Sequence, residues 1–123
     1  MEFDYLSKQV IGCALEVHRV LGPGLLESTY EQCLARELSL ASIPFKLQVF
    51  LPVKYKNVII DCGYRIDVLV KDKLIIEIKS VKKIIDVHRA QLLTYMKLSG
   101  IGIGLLMNFN VELFKTGVKR FVL

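Results

Sequence analysis

The sequence predicts an α/β (α+β) fold in which helices flank a mixed central β-sheet, in the order ααβββαβ plus a C-terminal hairpin. Apolar residues recur every three or four positions in residues 4–41 and 84–98, the period of a helix, and alternate in residues 45–80, the period of a strand. Residues 103–109 form a largely apolar run, typical of a strand buried on both faces. With 123 residues the chain can bury one core, so we expect a single domain over residues 1–123.

Two helices precede the predicted sheet. Asp4 can cap the first helix, whose apolar face continues to about Val20. Gly22-Pro23-Gly24 ends it, because proline cannot continue the hydrogen-bond ladder and glycine adopts unusual backbone angles. The second helix is expected over residues 25–41, with Leu26 on its apolar face, and ends at Ser42-Ile43-Pro44.

Three strand regions follow. The first, residues 45–55, is interrupted by Pro52 and is therefore expected to be an edge or bulged strand. The second covers residues 58–70, with Gly63 as a bulge or bend. A tight turn then leads into a third strand over residues 74–80.

The C-terminal part returns to helical spacing before it ends in strands. We expect a helix over residues 84–98 and the buried strand over residues 103–109. Glu112–Lys115 and Lys119–Val122 are interpreted as two short strands around Thr116-Gly117, which would form the C-terminal hairpin.

Composition narrows the classes of protein to consider. Seventeen Lys and Arg against twelve Asp and Glu give a net charge of +5, which mildly favours polyanionic partners. No uncharged apolar run reaches the roughly eighteen residues of a membrane span, and residues 1–4 lack the features of a secretory signal. Cys13, Cys33 and Cys62 show neither disulfide nor zinc spacing, so we expect a reducing, cytoplasmic setting.

The third strand carries an acid and a base among apolar residues. Glu77 and Lys79 are two positions apart and so share one face of the strand, while Asp67 lies in the middle of the preceding strand. Burial of either charge alone would be costly, so both need partners. A metal site at Asp67 and Glu77 beside Lys79 is one interpretation; an ordinary salt bridge between Asp67 and Lys79 is the other.

Polar residues on the helices extend this group. Glu27 shares a helix face with buried leucines and either interacts with the helix dipole or turns toward a cation. Gln91 and Tyr95 are four residues apart on the third helix, and Gln91 is either a satisfied core amide or a group that reaches the site. His88 is expected at the helix surface or against a partner, because no second histidine lies at ligand spacing.

These residues resemble known motifs. Gly24-Leu25-Leu26-Glu27-Ser28-Thr29-Tyr30 resembles the pattern of the GxxExxY protein family. Asp67 followed by Glu77-Ile78-Lys79 resembles the D…ExK core of the PD-(D/E)XK nuclease superfamily, and Gln91 to Tyr95 resembles the QxxxY element of its exonuclease-type members. The predicted order of elements is similar to the restriction-endonuclease-like core of that superfamily. Ile66 stands where proline often precedes the aspartate.

The resemblance implies a Mg²⁺-dependent phosphodiesterase site, with Mn²⁺ as a possible substitute. The metal ligands would be Asp67, Glu77, the Ile78 carbonyl and Glu27. Catalytic roles would fall to Glu27, Asp67, Glu77, Lys79 and Gln91. Lys79 would orient or help deprotonate the attacking water and stabilise the charge that develops on the phosphate. Substrate contacts would come from Tyr30, Tyr95, Lys82, Lys83 and Arg89, although a solvated basic face equally explains the last three.

The leading hypothesis is therefore a small nuclease acting on nucleic acid, with DNA favoured over RNA. The alternative is a nucleic-acid-binding or protein-interaction module of the same fold with weak or no turnover. Because no recognition domain accompanies the predicted core, a homodimer or a partner protein is also expected to contribute.

Overall fold

A five-stranded mixed sheet with helices on both faces forms the centre of the molecule in a computed structural model that describes residues 4–123. The strands lie in the order β1-β4-β5-β6-β7, and β2 and β3 form a separate two-stranded ribbon. The helices are α1 (Tyr5–Leu21), α2 (Glu27–Leu40) and α3 (Asp86–Ser99), with a 3₁₀ turn at Phe114–Gly117. The strands are β1 (Phe45–Phe50), β2 (Val53–Tyr55), β3 (Val58–Ile60), β4 (Arg65–Val70), β5 (Leu74–Lys79), β6 (Ile103–Asn108) and β7 (Val118–Val122).

The connection between β5 and β6 determines the sheet topology. These two strands are parallel, whereas every other pair in the five-stranded sheet is antiparallel. Parallel neighbours need a crossover, which α3 supplies. The predicted α/β arrangement, with a mixed sheet between helices, is confirmed.

Each face of the sheet has its own hydrophobic cluster. Val68, Ile76 and Ile78 pack with α1 and α2 on one face. On the other face Ile75 and Leu106 pack with Leu92, Tyr95 and Met96 of α3. The strand alternation predicted for β5 is therefore confirmed, and its Glu77-bearing face is the one that α3 covers.

The ends of the first helix are formed as predicted. The Asp4 carboxylate accepts two hydrogen bonds from Ser7, one from the backbone N–H at 3.0 Å and one from the side-chain hydroxyl at 2.6 Å. Gly22 ends α1 with a φ of 67° and donates its N–H to the His18 carbonyl. A side-chain cap of this kind stabilises a helix by about 1 kcal/mol.

Other helix boundaries differ from the predictions. Helix α2 begins at Glu27, and Leu26, predicted to face the core, is 74% exposed as its N-cap. Helix α3 begins at Asp86 rather than at residue 84, because the His88 ring folds back and accepts a hydrogen bond from the Ile85 N–H. His88, expected at the helix surface or against a partner, thus caps the start of α3.

The C-terminal hairpin is formed by different strands from those predicted. The segment predicted as its first strand, Glu112–Lys115, leads into the 3₁₀ turn, and β7 pairs with β6 instead. Gly117 packs closely against the end of β6, since a Cβ there would lie 2.2 Å from the Asn108 carbonyl oxygen. The chain thus crosses back over the end of β6 before it enters the sheet. None of the helices in residues 4–123 has the length and apolar character needed to cross a membrane.

Candidate active site

Asp67 and Glu77, called the acid pair below, lie where β4 and β5 diverge. The backbone ladder between these strands ends at Val68 and Ile76. Beyond that point Asp67 Oδ2 accepts a hydrogen bond from the Ile78 N–H at 2.9 Å, and Glu77 Oε1 accepts one from the Asp67 N–H at 3.3 Å. The two carboxylates thus replace backbone partners, and the predicted proximity of these residues is confirmed.

Glu77 is an acid in an unfavourable place for a negative charge. Its side chain is only 3% exposed. Burial, and then the neighbouring Asp67 charge, raises the pKa of Glu77 to about 9, while Lys79 lowers it only weakly. A buried carboxyl with this pKa is protonated at neutral pH unless a cation binds beside it.

Lys79 is held by the third helix. Its Nζ donates a hydrogen bond to Gln91 Oε1 at 3.1 Å, and Gln91 Nε2 in turn donates to the Tyr95 hydroxyl at 3.0 Å. Burial raises the pKa of Tyr95, and the charges of Glu77 and Asp67 raise it further. The structure therefore joins Gln91 and Tyr95 to the strand motif and does not form a direct Asp67–Lys79 salt bridge among the described residues.

Glu31 and Gln48 extend the site, and neither was predicted to belong to it. Gln48 Nε2 donates to Glu31 Oε1 at 2.6 Å and to Asp67 Oδ1 at 3.3 Å. The pKa of Glu31 is raised above its ordinary value, mainly because the side chain is partly buried. The hydrogen bond from Gln48 opposes this shift, and the nearby Asp67 charge adds to it. Glu31 lies four residues after Glu27 on the same helix, and this spacing was a signal that could have identified it.

Gln48 has a backbone conformation that is rare inside a strand. Its φ is 51°, and the β1–β4 pairs on either side place it opposite Asp67. Left-handed backbone at a residue other than glycine costs about 1–3 kcal/mol and occurs often at functional sites. Here it accompanies an amide that binds two carboxylates.

Glu27 lies at the same end of β5 as the acid pair but does not join it. Its Oε2 accepts a hydrogen bond from the Ser80 N–H at 3.3 Å, and its side chain is exposed. In residues 4–123, no three His, Cys, Asp or Glu side chains lie close enough to hold one metal ion. The structure therefore does not bring Glu27 together with Asp67 and Glu77, and its role at a metal stays a prediction; the contact it makes here holds the backbone just after Lys79.

Comparison with known proteins places this geometry in a family. The family model of the PD-(D/E)XK nuclease superfamily matches residues 4–121. The chain belongs to this superfamily. No curated protein and no solved structure matches the chain.

The donor set at the acid pair fits a hard divalent cation. Members of the superfamily generally use divalent metals. The Asp67 and Glu77 carboxylates and the Ile78 backbone offer oxygen ligands, which Mg²⁺ and Mn²⁺ prefer. The raised pKa of Glu77 indicates that a nearby positive charge would be strongly favourable.

Tyr30 does not take the substrate-contacting role predicted for it. The side chain is fully buried and its ring stacks on Phe109 with centroids 4.6 Å apart. Its hydroxyl donates to the Gly22 carbonyl at 2.6 Å and accepts from the Leu25 N–H at 3.1 Å. In this PD-(D/E)XK protein, Tyr30 therefore holds the loop between α1 and α2, and its ring is not accessible to a substrate.

The basic residues after β5 form a separate hollow. Lys82, Lys83 and Arg89 line a pocket of about 260 Å³, together with Lys119 of β7. Arg89 is paired with Asp86 at 3.0 Å and lies on the side of α3 away from Gln91, because residues two apart on a helix point in nearly opposite directions. The structure thus brings the three predicted residues together in a pocket that does not include the acid pair.

Asn108 holds the segment that follows Lys79. Its Oδ1 accepts from the Val81 N–H at 3.1 Å, and its Nδ2 donates to the Val81 carbonyl at 3.0 Å. The residue is almost fully buried at the end of β6, next to Lys79 in the parallel pairing. This positioning contact was not predicted; the signal for it is an amide inside the predicted buried strand, because a buried amide needs hydrogen-bond partners.

Proposed function

We propose that this PD-(D/E)XK protein is a Mg²⁺-dependent nuclease that hydrolyses phosphodiester bonds of nucleic acid, with DNA favoured over RNA. The observation that carries the proposal is the pairing of Asp67 and Glu77 at the strand divergence, with the Lys79 ammonium on the same face of β5. Two carboxylates and one cation in this arrangement suit an in-line attack on a phosphate.

Asp67, Glu77 and the Ile78 carbonyl are the proposed metal ligands. The Ile78 N–H already points to the Asp67 side of β5, and the carbonyl of a strand residue points to the same edge as its N–H. A bound Mg²⁺ would supply a charge that binds phosphate oxygens and favours an ionised nucleophile. Mn²⁺ would take the same oxygen ligands.

Lys79 is the proposed catalytic cation. Because Gln91 accepts one of its hydrogens, two N–H groups remain to orient a water molecule and to stabilise the charge that develops on the phosphate. Tyr95 and Gln91 fix the direction of the ammonium. Gln48 holds Asp67 and Glu31, and Glu27 holds the Ser80 N–H. The proposed positioning residues are therefore Gln91, Tyr95, Gln48 and Glu27.

The basic pocket is the proposed contact for the nucleic-acid backbone beyond the scissile phosphate. Lys82, Lys83 and Arg89 with Lys119 would neutralise phosphates and make binding weaker as salt rises. The motif around Glu27 supports a place in the GxxExxY family within the superfamily.

The wider context of the protein is also a proposal. Residues 1–123 would act as one nuclease unit, with a second copy or a partner protein completing substrate recognition. Three free cysteines support a cytoplasmic setting.

Cleavage assays on single-stranded DNA, duplex DNA and RNA test the proposal directly. We expect cleavage that requires Mg²⁺ or Mn²⁺ and falls at least about a hundredfold in Lys79→Ala. Lys73→Ala, at the exposed opposite end of β5, serves as the matched control and should retain full activity. Binding without cleavage, equal in wild type and Lys79→Ala, would instead favour the binding module.

A further inference from the structure

We propose that the cleft between the β2–β3 ribbon and α3 is a subsite for one unpaired nucleobase, with Tyr64 as its stacking platform. The inference rests on the proposed function for its substrate class, nucleic acid. It adds that the strand entering the site is single-stranded, or is opened at that nucleotide.

The cleft has a size and a lining that suit a planar, largely apolar group. Its volume is about 380 Å³, and its walls include Val53 from the ribbon, Tyr64, and residues of α3. Val87 and Leu98 are exposed apolar side chains along this wall. None of the residues from 4 to 123 that line the cleft is charged, so it fits an uncharged base better than a phosphate or a charged peptide side chain.

The backbone that carries the Tyr64 ring is held by hydrogen bonds. Its carbonyl accepts hydrogen bonds from the Leu51 N–H at 3.0 Å and from Arg65 Nη1 at 2.9 Å. Gly63, with a φ of 79°, and the bond from its N–H to Asp61 Oδ1 at 2.8 Å turn the chain just before it. Since the backbone is already ordered, stacking on Tyr64 would cost little conformational entropy.

The Tyr64 ring is also open to a ligand. It is 44% exposed, and it meets the ring of Tyr95 at 6.0 Å with a tilt of 56°, so it is not stacked face to face on its neighbour. A base could therefore lie on an accessible face of the ring. Aromatic stacking of this kind tolerates every base and gives no sequence preference by itself.

The cleft is continuous with the acid pair through shared residues. Gln91 and Tyr95 line the cleft and also form the hydrogen-bond chain that ends on Lys79. A phosphate at Lys79 would therefore place an adjoining nucleotide at the mouth of the cleft. A base stacked inside a duplex cannot enter, so the geometry favours single strands, loops or frayed ends.

Binding measured in EDTA tests the subsite without any cleavage. The probes are a fluorescent single-stranded oligodeoxynucleotide of about eight nucleotides, a length within the range of known single-strand sites, and an oligomer of equal length built from abasic residues. Fluorescence anisotropy would give the ratio of the two dissociation constants for wild type, Tyr64→Phe and Tyr64→Leu. Tyr5→Leu, an exposed tyrosine on α1 on the other side of the sheet, is the matched control.

We expect wild type, Tyr64→Phe and Tyr5→Leu to prefer the base-bearing probe by about tenfold, and Tyr64→Leu to bind both probes nearly equally. The salt dependence of binding should be the same in all four proteins, because phosphate contacts are untouched. Equal binding of the two probes by wild type, an unchanged preference in Tyr64→Leu, or no binding of either probe would overturn the inference.

The cleavage assay separates this inference from the proposed function. Metal-dependent cleavage with no base preference in binding would leave the nuclease and remove the subsite. A base preference that depends on Tyr64, in a protein that cleaves nothing, would leave the subsite and remove the nuclease.

Discussion

Glu77→Gln should make the metal-free protein more stable at neutral pH, at the expense of its activity. The buried carboxyl has a folded-state pKa of about 9 against an ordinary value of 4.5. Between these values the unfolded chain carries an ionised glutamate, whereas the folded chain must keep a proton on it. Folding therefore takes up a proton, and wild-type stability falls as the pH rises from 4.5 to about 9.

The magnitude follows from the size of the pKa shift. At pH 7 the folded protein keeps the carboxyl protonated about 2.5 pH units above its ordinary pKa. At about 1.4 kcal/mol per unit, this lowers the free energy of unfolding by about 3 kcal/mol. That is a large part of the stability of a typical domain, about 5–15 kcal/mol. The glutamine amide of the variant has no charge to lose, and it can donate to Asp67 as the protonated acid does.

Urea unfolding in EDTA at pH 5 and pH 7 measures the effect. We expect the variant to be more stable than wild type by less than about 1 kcal/mol at pH 5 and by about 3 kcal/mol at pH 7. Glu112→Gln, an exposed glutamate, is the control and should change neither value. Saturating Mg²⁺ should raise the stability of wild type but not of Glu77→Gln. If the two proteins have the same free energy of unfolding at pH 7, or if the difference between them does not change with pH, Glu77 does not have the raised pKa given above.

Three further variants test individual contacts. Gly117→Ala should destabilise the protein by about 2 kcal/mol in urea unfolding, because the new Cβ meets the fixed carbonyl of Asn108; an unchanged midpoint would contradict this packing. Gln48→Leu should lower the cleavage rate by about tenfold or more by releasing Asp67, and full activity would remove its positioning role. Tyr30→Phe should cost about 1–2 kcal/mol of stability through lost loop hydrogen bonds while cleavage is retained, and a selective loss of cleavage would restore a substrate role for Tyr30.

The pairing of the acids was accessible from the sequence. A tight turn between two alternating strands forces antiparallel pairing, and the structure forms it at Lys71 and Asp72, both with positive φ. The turn takes the three residues between the paired Val70 and Leu74, and the same register continued one residue past Val68 and Ile76 brings Asp67 to Glu77. Alternation then assigns Glu77 and Lys79 to one face, so the centre of the site follows from local patterns.

The positioning residues around the acids depend on tertiary contacts. Gln48 lies in a segment that looks like any alternating strand, and its unusual φ arises only where it meets Asp67 and Glu31. Tyr30 looked functional because it belongs to a motif, yet its ring fills the core against Phe109. Motif membership identified the neighbourhood of Tyr30 but not the direction of its side chain.

A crystal of the protein soaked in Mn²⁺ and measured for anomalous scattering would show whether the acid pair binds a metal. We expect one strong peak within ligand distance of the Asp67 and Glu77 carboxylates and the Ile78 carbonyl, about 2.0–2.6 Å for hard cations on oxygen ligands. A peak at another place, or no peak at the acid pair under conditions in which the protein cleaves DNA, would contradict this expectation.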